Sequence, residues 1–223
     1  MADQSILHPG NLLMVQERER FLARFFRRLG RSTLAGTRVF EAGCSTGYNL
    51  RLMVQWGGNP GEMAGIDLDP EAAAYCSAHA PEIRVHAGSA AAIPESDASF
   101  DVALAFTLFS SVPDEEVSAA IAHELERIVR PGGFIIVYDM RRRSPGNPNV
   151  HPISAEDIRR WFPRAPMRMT TITLAPPIAR RLGRTPWLYG PLSRIPLLRT
   201  HAMYILRRPG TLPAGETAAP AEA

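Results

Sequence analysis

The stretch Val39-Phe40-Glu41-Ala42-Gly43-Cys44-Ser45-Thr46-Gly47-Tyr48 decides the fold of this chain. Two β-formers lead into an acid, a small-residue turn follows, and a helix-like run extends from Tyr48 to Trp56. The reading is a strand, a tight turn and a helix N-terminus. Glycine at 43 and 47 lets a ligand approach the backbone, and the helix start presents N–H groups without intrahelical partners. Glu41, at the strand end, stands where a ligand amine or hydroxyl would be held.

Working outward, strand and helix patterns alternate from residue 37 to 163. Apolar residues at 12, 13, 15, 21, 22, 25, 26 and 29 predict an amphipathic helix from Asn11 to Leu29, ended by Gly30. Strands are expected at Thr37–Phe40, Glu62–Leu68, Ile83–His86 and Phe100–Phe106. After the turn Arg130-Pro131-Gly132-Gly133, another is expected at Phe134–Tyr138. Helices are expected at Pro70–Ala80, from the N-cap Asp114 to Val129, and from the cap Ser154 to Phe162. Met167–Leu174 and His201–Leu206 read as an antiparallel pair, joined by a proline-punctuated segment, 175–199, with no helix pattern. The alternation predicts an α/β fold with a mainly parallel sheet. The expected organisation is a single domain over 1–208. It comprises a helical cap (1–36), a cofactor-binding core (37–139) and a substrate-side part (140–208), followed by a disordered tail, 209–223.

The chain has 223 residues, enough for one ordinary core. Its longest apolar run, near Val102 to Phe109, is too short to span a bilayer, and Met1 to Gly10 shows no secretory pattern. Two cysteines, Cys44 and Cys76, make neither a disulfide framework nor a zinc site, so no metal and a cytoplasmic setting are expected. The net charge of +3 conceals a segregation. Residues 1–140 carry 11 arginines against 18 acids, whereas residues 141–223 carry 14 arginines against 4 acids. There is no lysine. Such a basic half is a solvated face or a surface for something anionic: an acidic substrate, a membrane surface or nucleic acid.

Two nucleotide signatures fail at the turn. A dinucleotide fingerprint starting at Gly43 needs glycine at 45 and 48, where Ser45 and Tyr48 stand, and a phosphate loop needs a lysine. The spacing that fits is acid-x-Gly-x-Gly/Ser-x-Gly: Glu41, Gly43, Ser45, Gly47. It resembles the first motif of class I S-adenosylmethionine-dependent methyltransferases. Gly65-Ile66-Asp67-Leu68-Asp69-Pro70 is similar to the second motif, with its acid 20 residues after Gly47. Gly88-Ser89-Ala90 with Ser99-Phe100-Asp101, and Leu125 to Gly133, resemble the third region and the turn before strand five.

The resemblance implies a Rossmann-like sheet of seven mostly parallel strands with an antiparallel last strand, helices on both faces, and S-adenosyl-L-methionine as cofactor. It implies that Glu41 binds near the methionine amino group, Gly43, Ser45 and Gly47 form the cradle, and Asp67 accepts both ribose hydroxyls. Leu68 packs on adenine, Ser89 stands where many members have an acid, Ala90 supplies a backbone N–H, and Phe106 borders the methyl group. Asp69 reads equally as a helix cap, and Cys44 as a small turn residue.

A sulfonium methyl is already activated, so such an enzyme mainly supplies proximity, orientation and a dry site. For a hydroxyl or ammonium acceptor something must take the proton, and Tyr138, Asp139 and His151 are the candidates at strand carboxyl ends. His123 and His201 read as surface and structural residues. The acceptor is expected to be a small molecule, acidic or amphiphilic, methylated on O or N, with no nucleic-acid partner, no integral membrane segment, and a homodimer left open. Its determinants are placed in the N-terminal helix, the loop Asp139–Pro152 and segment 175–199. An NAD-dependent oxidoreductase and a non-catalytic cofactor-fold partner remain the alternatives.

Overall fold

Val39–Ala42 forms β1, and all four residues are buried. A strand covered on both faces belongs at the centre of a sheet. A computed structural model describes residues 5–143 and 150–210 and places β1 there. The other strands are β2 (Met63–Asp67), β3 (Arg84–Ala87), β4 (Phe100–Phe106), β5 (Val129–Met140), β6 (Met167–Leu174) and β7 (Arg199–Arg207). Their order is β3-β2-β1-β4-β5-β7-β6. β7 lies antiparallel to both β5 and β6, and the other pairs are parallel. The chain therefore leaves β1 in opposite directions, through β2 and β3 on one side and β4 and β5 on the other. That reversal opens a crevice at the carboxyl ends of β1 and β4, where open α/β sheets hold ligands.

Helices α1 (Pro9–Arg28) and α2 (Tyr48–Gln55) cover one face of the sheet. Leu22, Phe25 and Phe26 of α1 pack with Leu50 and Met53 of α2 on Val39, Leu104, Ile136 and Met203. Helix α3 (Pro70–His79) follows β2. Helices α4 (Glu115–Ile128) and α5 (Ala155–Trp161) cover the other face, with Ile121, Leu125, Ile158 and Trp161 packed on Phe40, Ala103, Ile135 and Val137. Asp114 caps α4 by accepting from Glu116 and Val117 N–H (2.8 and 3.2 Å), and Ser154 with Asp157 forms a capping box on α5.

Three expectations need correction. β1 begins two residues later than read, at Val39, so Glu41 is inside the strand and not beyond it. The turn 130–133 is absorbed into β5, where Gly132 takes φ 78° and the pairing with β4 slips between Phe100 and Val102. Segment 175–199 is helical: it contains α6 (Pro176–Arg181), α7 (Tyr189–Ser193) and 3-10 turns at Leu182–Arg184, Pro186–Leu188 and Pro196–Leu198. Pro176, Pro186 and Pro196 occupy first positions, where the missing N–H costs nothing. Pieces of one or two turns are too short to show a helical period.

Candidate functional site

Glu41 is almost fully buried at the carboxyl end of β1. Its Oε1 accepts from Asn49 Nδ2 of α2 (2.5 Å), and its Oε2 is buried with no partner among the described residues. Burial pushes this carboxyl up to about 8, against the opposing pull of the Asn49 hydrogen bond and the Arg18 charge. The turn that follows winds through left-handed backbone at Gly43 (φ 71°), Ser45 (47°) and Gly47 (78°), and Gly47 caps α2. A Cβ at Gly47 would overlap Cys76 Sγ. Gly43 and Cys44 N–H both donate to Ile66 O (2.8 and 3.1 Å), which ties the turn to β2. Burial pushes the Cys44 thiol up, as suits an inert turn residue.

Asp67 ends β2. Its Oδ2 accepts from Ser45 N–H (2.6 Å) and its Oδ1 from Asp69 N–H (2.9 Å), so its orientation is fixed while each oxygen keeps a free lone pair. Leu68 beside it is 77% exposed, an apolar side chain left uncovered at the crevice. Asp69 caps α3 by accepting from Glu71 N–H (2.9 Å). Ser89 is exposed and its Oγ accepts from Ala91 N–H (3.2 Å) within its own turn. Neighbouring Ala90 is buried.

Phe106, at the end of β4, lies opposite Tyr138 in β5, with ring centroids 5.7 Å apart. Over them lies Arg18 of α1, its guanidinium 5.3 Å from the Phe106 ring, 5.5 Å from Tyr138 and 5.9 Å from Tyr48. Arg18 donates to Asn49 Oδ1 (3.1 Å), yet its Nε is buried without a partner among the described residues. His201 stacks parallel on Tyr138 at 4.9 Å. Burial lowers His201 to about 4 and raises Tyr138 to about 12, so both are neutral near pH 7. The Tyr138 hydroxyl pairs with Thr173 Oγ1 (2.9 Å). Thr173 is a β-branched residue at φ 68°, skipped by the β6–β7 pairing. Its N–H donates to Glu17 Oε2 (3.1 Å), which also accepts from the Tyr189 hydroxyl (2.7 Å).

The structure brings Glu41, Gly43, Ser45, Gly47, Asp67, Leu68, Ser89, Ala90 and Phe106 to the carboxyl ends of β1, β2 and β4 and the turn after β3, with Tyr138 next to Phe106. It places the other two proton-acceptor candidates elsewhere. Asp139 belongs to the opposite face of β5, accepting from Ser110 and Met140 N–H (3.0 and 2.8 Å), and burial pushes it up to about 6. His151 is exposed, with its N–H on Ser110 O (2.9 Å). Residues 144–149 of the loop Asp139–Pro152, and residues 211–223 of the tail, lie outside the described residues.

Arg18, Asn49 and Thr173 go unread in the sequence, and His201 reads there as structural. A charge on an amphipathic helix reads as solvated, and His201 joins Tyr138 only through the β5–β7 register. A surface cavity of about 430 Å³ among Asp97, His123, Arg164 and Arg208 lies at the amino ends of the parallel strands, away from this cluster.

Residues 39–133 match the family described as Methyltransferase domain. A protein of Mycolicibacterium smegmatis named "Probable S-adenosylmethionine-dependent methyltransferase" is 33% identical over 114 residues, 50% of this chain and 42% of that protein. The ubiquinone biosynthesis O-methyltransferase of Xanthomonas oryzae is 29% identical over 139 residues, 60% of this chain and 55% of its own length. The match thus spans about half the length of these curated relatives. The geranyl diphosphate C-methyltransferase of Streptomyces coelicolor, solved with S-adenosyl-L-homocysteine, superposes with a TM-score of 0.64 at 13% identity, over 93% of this chain and 87% of that one, a likeness of fold. By their motifs, their place in the sheet and these matches, residues 39–133 form a methyltransferase domain of the class I S-adenosylmethionine-dependent kind.

Proposed function

We propose that this protein transfers a methyl group from S-adenosylmethionine to an oxygen or nitrogen atom of a small acidic or amphiphilic acceptor. One observation carries the reading. Asn49 bridges Glu41 and Arg18, and each of these has a buried polar atom without a partner among the described residues: Oε2 of Glu41 and Nε of Arg18. Buried polar atoms without partners are costly, and the ammonium and carboxylate of an amino acid are the charges this pair lacks. The residues therefore fit the cofactor. Glu41 would hold its ammonium, Arg18 its carboxylate, Asp67 its ribose hydroxyls and Leu68 its adenine. When bound, the cofactor supplies an electrophilic methyl group that needs no further activation.

The remaining work falls to orientation and exclusion of water. Phe106 and Tyr138 form an aromatic wall at the strand ends, and α1 closes over it. His201, neutral and held through Nδ1 by Thr200 Oγ1 (3.0 Å), hydrogen-bonds and orients an acceptor hydroxyl in this reading. A carboxylate acceptor needs no base. The name of the Xanthomonas relative supports oxygen as the acceptor atom. A cytoplasmic setting and the absence of a nucleic-acid partner belong to the same proposal.

Calorimetric titration with S-adenosylhomocysteine tests the cofactor site. Binding is expected in the native protein and loss of affinity in Glu41→Gln and Asp67→Asn, whereas no heat at millimolar ligand refutes the reading. Transfer of labelled methyl from the cofactor into acidic and amphiphilic phenols or carboxylates then sorts the acceptors.

A further inference from the structure

We infer that the outer face of segment 186–197 is a docking surface for an anionic lipid bilayer. This surface extends the proposed function by bringing an amphiphilic acceptor to the catalytic cluster, on whose methyltransferase reading that last clause rests. Its inner face is spent on the protein. Tyr189 is buried and bonded to Glu17, and Leu192 and Leu198 join Leu13, Met14 and Ile178 in a satellite core. The outer face is left apolar. Trp187 and Leu197 are 69% and 68% exposed, and Leu188 and Ile195 are exposed beside them. Trp187 and Leu188 lie in the short turn before α7, Leu197 lies in the one after it, and Ile195 caps that second turn. Ile6 and Leu7, also exposed, enter α1 where its Gly10 packs on Ala179 of α6. Scattered single apolar residues on a surface are ordinary, but a cluster rimmed by one sign of charge marks an interaction site.

The charge identifies the occupant. From residue 158 to residue 215 the sequence contains no Asp or Glu, while Arg180, Arg181, Arg184, Arg194 and Arg199 fall within 175–199. Arg180 is engaged by Asn11, and Arg199 by Ser193 O and Thr171. Arg181 and Arg194 are exposed and pair with no acid among the described residues. Exposed Trp and Leu flanked by unpaired arginines suit insertion at the headgroup–acyl boundary of an anionic leaflet. No helix among the described residues is long and apolar enough to cross a membrane, so the contact is peripheral. Tyr189 stands on the inner side of α7 and is joined through Glu17 and Thr173 to Tyr138, so this face backs directly onto the aromatic cluster.

Co-sedimentation of the full chain with phosphatidylcholine vesicles, with and without phosphatidylglycerol, tests the proposal. Binding is expected with the anionic vesicles and is expected to fall as salt rises. Arg181→Gln and Arg194→Gln should each lower the partition coefficient about five-fold. Trp187→Ala and Leu197→Ala should each lower it about ten-fold or more. All four variants should bind S-adenosylhomocysteine as the native protein does, which separates this test from that of the cofactor site. No binding to anionic vesicles, or binding that the four substitutions leave unchanged, overturns the inference. So does retention of nucleic acid through the same arginines without vesicle binding.

Discussion

At Glu41 the decisive fact is a carboxylate oxygen buried without a partner among the described residues. Burial raises its carboxyl from 4.5 to about 8, so the folded protein keeps a proton that the unfolded chain gives up above about pH 4.5. The stability linked to that proton is full below this point and is lost as pH rises through about 8. Glu41→Gln carries an uncharged amide throughout. The ligand-free variant should therefore gain on the native protein in thermal stability from pH 5 to pH 8, which a series of melting curves reads. Pairing with a ligand ammonium favours the ionised carboxylate, so cofactor binding near pH 7 should release up to about one proton. Titration in buffers of unequal ionisation enthalpy measures that release, and its absence would place the ammonium elsewhere. Arg18→Gln should weaken S-adenosylhomocysteine about ten-fold or more, because it strips the charge from one end of the cradle. Asp139, by contrast, is spent on two backbone N–H groups. Asp139→Ala should cost about 1–3 kcal/mol in denaturant unfolding by leaving the Ser110 N–H unpaired, with cofactor affinity unchanged.

Among the elements, α1 decides how the proposed acceptor side is built. Its Glu17 holds both the strained Thr173 and Tyr189, so one carboxylate fastens the helix to β6 and to α7. Glu17→Gln should weaken two charge-assisted hydrogen bonds. The expected result is faster amide exchange in α7, with the protection of β1 and β4 preserved, and hydrogen-exchange mass spectrometry checks it. The turn before α2 is constrained from its own side. Gly47→Ala meets positive φ and the Cys76 sulfur together, so it should destabilise by about 1–2 kcal/mol or more and loosen the cofactor cradle. Both glycines of this turn were legible in the sequence because their spacing is local. The helices α6 and α7 were not, since prolines that read as interruptions in fact open α6 and the two short turns on either side of α7.

For the molecule as a whole, the sequence by itself determined the residues proposed to hold the cofactor. Glu41, Gly43, Gly47, Asp67 and Ser89 each sit at a strand end or in the turn just after it, and the alternation of strand and helix carries those ends to one edge of the sheet. The tertiary structure alone decided the cluster around Tyr138, to which the proposal assigns the acceptor and one end of the cofactor. Insertion of β7 between β5 and β6 stacks His201 on Tyr138, the left-handed backbone of Thr173 in β6 accompanies its pairing with the same hydroxyl, and α1 lowers Arg18 onto the group from more than a hundred residues away. The physical reason is that strand register and helix docking are long-range choices, fixed by which faces bury together. A histidine in a strand or an arginine on an amphipathic helix carries no local mark of the neighbour it will meet.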